Sequence, residues 1–278
     1  MRGKTRRKEV TMLRDITIGQ YYPADSVIHK LDPRVKLMAA LIYIISLFTF
    51  RGAAGFILVS IFLIFLIRLS KVPLSYMVKG LKAIVILMVI TAAFNLFLTP
   101  GETVLMRFWI FTVTLEGVKN AAFMLVRLIY LIVGTSIMTL TTTPNQLTDG
   151  LEKALAPLSR IKVPVHAVAM MMSIALRFIP ILIEETDIIM KAQMARGADF
   201  ENGSLIRRAK SMVPLLVPLF VSAFRRADDL AMAMEARCYV GGSGRTKMKP
   251  LRYGRRDYAA YLILAAYLAG VILLRIFV

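Results

Sequence analysis

Five stretches of this chain are nearly free of charge and long enough to cross a bilayer, and no other feature restricts its fold so severely. They run from Val35 to Phe50, Gly52 to Leu69, Ala83 to Thr99, Ala121 to Leu140 and Tyr258 to Val278. Each is about 16–21 residues, the lower to normal length for crossing a hydrocarbon core about 30 Å thick. A backbone in hydrocarbon must satisfy its own polar groups, so runs of this length are read as helices. Asp32-Pro33 supplies an N-cap and an N1 proline for the first, and Pro100-Gly101 stops the third. Two further apolar stretches are expected to stay outside the membrane. Val163–Ile183 holds His166 and Arg177, and a charge at mid-bilayer costs about 2.5–3.5 kcal/mol on the insertion scale. Met212–Phe224 has only thirteen residues and contains Pro214 and Pro218.

Composition agrees with this reading and removes its competitors. The chain has 278 residues, 36 Lys+Arg against 17 Asp+Glu, a formal net charge of +19 and 58% hydrophobic residues. A soluble nucleic-acid binder would explain the charge but not a mean hydropathy of +0.66. The cations flank the apolar runs and no recognition motif interleaves them with aromatics, so no nucleic-acid partner is expected. One cysteine (Cys238) and two histidines (His29, His166) exclude a disulfide framework and a zinc cluster. Gly241–Lys247 resembles a phosphate loop superficially, but Thr246 stands where the second glycine is required. It reads instead as a linker returning to the membrane, followed by basic residues at the anionic headgroups.

Charge also sets the orientation. The first residues are basic, and Arg68, Lys71, Lys79 and Lys82 occupy the second connection with no acid among them. The positive-inside rule puts both segments in the cytoplasm. The chain then divides into a basic cytoplasmic segment 1–34, a four-helix membrane domain 35–141, a cytoplasmic region 142–257 and a final span 258–278. Trp109 reads as an outer interfacial anchor, and Arg127 as a cation snorkelling from the fourth span. The acids Glu184, Glu185, Asp187, Asp228 and Asp229 read as a solvated helix surface.

The cytoplasmic region holds the functional signal. Thr143-Pro144 or Asn145 caps a short helix to about Ser159. One long helix is expected from Pro164 to Arg196, stopped by Gly197, and a second from Leu205 to about Cys238. The turn-rich Asp199–Ser204 separates them. Laying Ala195-Arg196-Gly197 over Ala236-Arg237-Cys238 also superposes Ala192 on Ala233 and Asp187 on Asp228. Each Ala-Arg sits beside a helix stop among small neighbours. An arginine there can favour its own helix C-terminus. It is also placed to enter an acidic cleft of a partner, where a guanidinium bonds two carboxylate oxygens at once. Met170, Met171, Met172, Met190 and Met194 on the first helix, with Met212, Met232 and Met234 on the second, suit a surface that repacks against different partners.

Three elements together resemble one family. Gly19–Leu37 (G-Q-Y-Y-P-A-D-S-V-I-H-K-L-D-P-R-V-K-L), Ala195–Gly197 and Ala236–Cys238 are similar, in order and across essentially the whole chain, to the EcfT/CbiQ family, the transmembrane coupling subunits of energy-coupling-factor (ECF) vitamin transporters. The resemblance implies an all-α integral membrane protein of about five transmembrane helices, with an insert of two long crossing coupling helices. It implies that Ala195, Arg196, Gly197, Ala236, Arg237 and Cys238 dock on two ABC-type ATPase subunits, while a separate membrane S component binds the substrate. The chain itself would then be no enzyme and hold no cofactor or metal, ATP being bound by the partner ATPases. It would be a multi-pass protein of a prokaryotic cell membrane. Cys238 departs from the family's glycine, and its helix end is expected to be less sharply terminated. A coupling subunit of a dedicated cobalt, nickel or biotin importer is the alternative. A secondary transporter with its own site would want polar residues at mid-membrane, which these runs lack.

Overall fold

The computed structural model describes residues 21–277 apart from 51, 101–102, 109–110, 199, 201–204, 242–247 and 249. The basic arm before Tyr21, the Trp109 anchor, nearly all of the turn at 199–204 and the linker at 242–247 lie outside the described residues. The fold is helical, as the apolar runs require. Helices α1 (Pro33–Thr49), α2 (Ala53–Ser70), α3 (Leu74–Leu98), α4 (Leu115–Thr141), α5 (Pro144–Ala154), α6 (Val165–Ala195), α7 (Leu205–Glu235) and α8 (Arg255–Phe277) follow in order. A single 3₁₀ turn, Ala156–Ile161, lies between α5 and α6.

Local chemistry accounts for the boundaries. Asp32 caps α1 by accepting from the Arg34 amide at 2.9 Å, with Pro33 at the first helical position. Helix α2 ends where Lys71 adopts a left-handed backbone (φ 53°). The connection between α3 and α4 forms a two-stranded antiparallel hairpin of β1 (Val104–Phe108) and β2 (Phe111–Thr114). Thr114 closes that hairpin and caps α4 through the Gly117 amide at 3.1 Å. Thr143 and Gln146 cap α5 reciprocally, each side chain accepting from the other's amide at 3.3 and 3.2 Å.

The chain divides into two compact units. One comprises 19–153 with 251–278; the described residues of the other lie within Ala154–Pro250. The first is the membrane unit. Its core joins α1, α2, α4 and α8 through Tyr43, Leu47, Val59, Leu63, Val133 and Tyr267. Phe62 stacks on Tyr267 at 4.1 Å, and Ser46 and Tyr267 share a hydrogen bond of 2.6 Å. Gly134 admits the Tyr43 ring: a Cβ there would stand 2.1 Å from Tyr43 Cε1. Outward-facing Ile57, Ile61, Ile86 and Leu262 are 62–74% exposed, a pattern suited to lipid rather than water.

By length and composition, α2, α4, α6 and α8 qualify as membrane spans, and α3 makes a fifth if its two parts, bent by 63°, count as one. Helix α1, with 17 residues, falls at the short end of the range. The qualification of α6 departs from the expectation for 163–183. The helix runs unbroken for 31 residues through His166, Arg177 and Pro180, so the two polar residues are diluted in a long apolar first half.

Arg127 lies on α4. Its Nη2 donates to the Phe50 carbonyl at 3.2 Å, and the guanidinium lies 5.7 and 5.8 Å from the Phe48 and Phe56 rings. The cation meets the C-terminal end of α1, as the dipole there favours. His29 bonds to Ser26 Oγ at 2.6 Å and to the Tyr22 carbonyl at 3.0 Å.

Candidate functional site

The candidate site is the pair of ends carried by the two long helices. Helices α6 and α7 are 31 residues each and pack on one another within the second unit. Both stop in the same way. At the end of α6, the Gly197 amide donates to the Met194 carbonyl at 3.0 Å and the Ala198 amide to the Gln193 carbonyl at 3.0 Å. At the end of α7, the Cys238 amide donates to Glu235 at 2.8 Å and the Tyr239 amide to Met234 at 3.1 Å. These two bonds are the Schellman pattern, built on a left-handed residue at C′. That residue is Gly197 at φ 90° and Cys238 at φ 53°.

The second end is therefore not less sharply terminated, as glycine's absence suggested. Cys238 takes the left-handed conformation despite its Cβ, and the closing bonds match those of the first end. The cost of roughly 1–2 kcal/mol for a non-glycine residue is met by the two hydrogen bonds that complete the cap. The repeat is thus one of backbone geometry as well as residue identity.

Ala195, Arg196, Gly197, Ala236, Arg237 and Cys238 are all exposed. Among the described residues neither Arg196 nor Arg237 makes a side-chain hydrogen bond or an ion pair. The guanidiniums do not fold back on the last carbonyls of their own helices. The nearest space to Gly197 is open, with nothing within 4 Å of a Cβ placed there. Each end thus offers a free, planar, doubly donating cation beside residues small enough for another backbone to approach.

One residue pair between the helices was missed by sequence reasoning. Glu185 on α6 forms an ion pair with Arg226 on α7, and Ser222 also bonds to Glu185. The two partners are 41 residues apart, the same offset that lays Gly197 on Cys238. Equivalent positions of the repeat therefore meet at this pair. Arg196 and Arg237 each lie eleven residues beyond it, about 16 Å along the helix at 1.5 Å per residue. The signal was present in the sequence: extending the Ala-Arg alignment upstream puts an acid opposite a base. Read as a solvated acidic face, Glu185 was separated from its partner.

A second missed group lies in the membrane unit, within the Asp32–Leu37 motif. Lys36 is 5% exposed, and its ammonium donates to the carbonyls of Thr141 at 2.8 Å and His29 at 3.2 Å. Asp257, also buried, accepts from the Asp32 amide and the Gly254 amide, both at 2.8 Å. Arg34 completes the set, paired with Asp32 at 2.8 Å and lying 3.8 Å over the Tyr253 ring. These bonds tie the segment before α1, the end of α4 and the start of α8 together. A buried ammonium and carboxylate are tolerated because each bonds to two backbone partners.

Comparison with known proteins agrees with this architecture. Residues 24–248 match the CbiQ family, described as cobalt transport protein. The chain is 59% identical over 252 residues to the energy-coupling factor transporter transmembrane protein EcfT of Clostridium kluyveri, covering 90% of this chain and 93% of that protein. It is 52% identical to the protein of that name from Thermosediminibacter oceani, over 95% of this chain and 99% of the relative. With the Lactococcus lactis EcfT it shares 43% identity over 88% of this chain and 92% of the other. The length matched, the similarity throughout and the helical membrane architecture lead to one conclusion: this chain belongs to the EcfT/CbiQ family of energy-coupling factor transporter transmembrane proteins.

Proposed function

We propose that the chain is the transmembrane (T) component of an ATP-driven ECF-type importer of vitamins or other micronutrients. It passes the motion of two ABC-type ATPase subunits to a separate substrate-binding S component. The observation that carries this reading is the matched pair of exposed arginines, Arg196 and Arg237, on identically capped helix ends. Two equal contact points suit a two-subunit ATPase, and their coupling to one ion pair between α6 and α7 suits transmission as a unit.

On this reading the chain has no catalytic residue and binds no cofactor; hydrolysis of ATP belongs to the partners. Residues 142–257 and the N-terminus lie in the cytoplasm of a prokaryotic cell, and the membrane domain lies in its plasma membrane. The excess of Lys and Arg at these segments supports that orientation. Exposed Met171, Met172, Met212 and Met232 support an adaptable apolar surface for the S component.

The family description, cobalt transport protein, favours a second reading, a dedicated importer of cobalt or nickel ions. Affinity purification of the tagged full chain from its native membrane tests both. Recovery of two ATPases and a small membrane protein that binds a vitamin is the expected result. A metal-binding partner would select the second reading, and a chain that transports solute alone would overturn both.

A further inference from the structure

One end of the membrane unit carries a cleft of about 430 Å³ lined by Lys30, Arg68, Lys71 and Arg256, with Asp25 as its one acid. Asp25 is already paired with Lys30 at 2.8 Å. Among the described residues Arg68, Lys71 and Arg256 have no ion-pair partner, and all three are exposed. Cations at the end of α2 complement its dipole, so Arg68 and Lys71 alone would need no further account. Arg256 cannot be explained so. It stands in the first turn of α8, where the dipole opposes a cation.

The cleft adjoins a second, apolar groove, and Leu69 lines both. Two helices supply both parts. On α8, Arg256, Ala260 and Leu264 recur at four-residue spacing on one face, with the cation in the cleft and the other two in the groove. On α2, Phe65 and Leu69 extend the groove in the same way. The groove holds about 120 Å³, room for about four water-sized groups. Phe65 and Ile263 on its wall remain exposed, which leaves it open to hydrocarbon. The pair of spaces thus has the form of a cationic cleft, roomy enough for a whole phosphodiester headgroup, leading to an apolar channel that takes only part of a chain.

We propose that the membrane unit binds one anionic phospholipid, its phosphate among Arg68, Lys71 and Arg256 and a segment of one acyl chain against Leu69 and Ala260. A free phosphate ion would satisfy the cations but leave the groove without purpose. Basic pockets between membrane helices recognise anionic headgroups in this manner. The ligand enters from the bilayer, where both helices already lie, and by the orientation proposed above it comes from the cytoplasmic leaflet. The bound lipid neutralises three cations that otherwise repel one another and fills the seam between α2 and α8.

The test uses the full chain, delipidated in a mild non-ionic detergent and titrated by native mass spectrometry. The probes are dioleoyl phosphatidylglycerol, dioleoyl phosphatidylcholine and glycerol 1-phosphate. The anionic lipid should bind at least tenfold more tightly than the zwitterionic one. Each neutralised cation should cost about fivefold, which is about 1 kcal/mol, so the R68Q/K71Q/R256Q variant should lose the preference entirely. A260F should weaken the lipid without changing glycerol 1-phosphate, and R275Q should change neither. Equal binding of the two lipids, or an undiminished preference in the triple variant, would overturn the proposal. So would glycerol 1-phosphate competing as well as the lipid, which would leave an anion site only. Should the triple variant lose its fold, R256Q alone serves, with a fivefold loss expected and unchanged affinity refuting the site. Neither ATPases nor transport enter the assay, so its failure leaves the coupling reading untouched.

Discussion

Replacing Cys238 by glycine should tighten the end of α7, and replacing Gly197 by alanine should loosen the end of α6. Both positions hold a left-handed backbone, at φ 53° and φ 90°. A non-glycine residue there costs roughly 1–2 kcal/mol. Glycine returns about 0.4–1 kcal/mol of that through the greater freedom of the unfolded chain. The net gain for Cys238→Gly is therefore about 0.5–1 kcal/mol. The loss for Gly197→Ala should be of similar size, because no neighbouring atom lies within 4 Å of the new Cβ and only the backbone term operates. The amides of Tyr239 and Ala198 close the two caps and report on them directly. Hydrogen exchange at Tyr239 should slow about two- to fivefold in the first variant, and at Ala198 it should quicken by the same factor in the second. Unchanged exchange at both amides would refute the argument that these ends are held by matched left-handed caps.

Three further expectations follow from other parts of the molecule. Gly134→Ala should lower the thermal midpoint in detergent by the equivalent of about 1–3 kcal/mol, since the new methyl meets the buried Tyr43 ring; an unchanged midpoint would mean that α1 and α4 are not packed through that contact. Glu185→Gln should destabilise the α6–α7 pair by about 0.5–1 kcal/mol, because the partly exposed Arg226 guanidinium loses the charge of the carboxylate to which its Nη2 donates; a double-mutant cycle with Arg226→Gln should show coupling, and additivity would dissolve the pair. His29 is held below its ordinary value by burial, with Lys36 acting in the same direction and the Tyr22 carbonyl and Asp25 opposing. Its folded value lies below the unfolded one, so the stability it contributes is complete above about pH 6.5 and is lost as pH falls below that. Melting curves from about pH 7.5 to about 5.5 should show the loss in the parent chain and not in His29→Gln.

Much of the fold was legible because membrane helices obey one dominant constraint. Uninterrupted apolar length located α1, α2 and α8 to within three residues at each end and the close of α4 to within one, although α4 begins six residues before Ala121, and Asp32-Pro33 fixed the start of α1. Periodicity was less informative for α6. Its first half is apolar on every side, so neither a water-facing nor a lipid-facing surface could be assigned from spacing. The β1–β2 hairpin left no trace, since it is one short strand pair in a connection of mixed polarity. At the site, the exposed ends were readable because Ala-Arg sits beside a helix stop in both copies. Cys238 misled because residue identity is a weak guide to φ where neighbouring hydrogen bonds impose the cap. Lys36, Asp257 and Glu185 were passed over for a related reason. A charge near an apolar run reads as a boundary or a solvated face, and only the third dimension supplies the backbone carbonyls or opposite charge that bury it.

The central claim is that Arg196 and Arg237 are the points of attachment to the ATPases. The most direct measurement is co-purification of the two ATPase subunits with the full chain, and vitamin uptake in cells, for R196A, R237A and R196A/R237A at matched expression. Truncating one member of a buried charge pair costs about 2–5 kcal/mol. Each single variant should therefore lose at least about thirtyfold in assembly, and the double variant should neither assemble nor transport. Lysine at either position should restore part of the loss, since an ammonium lacks the planar two-point contact, and glutamate should be the most damaging. Near-normal assembly and uptake in R196A/R237A would contradict the account and leave the two arginines as ornaments of their helix ends.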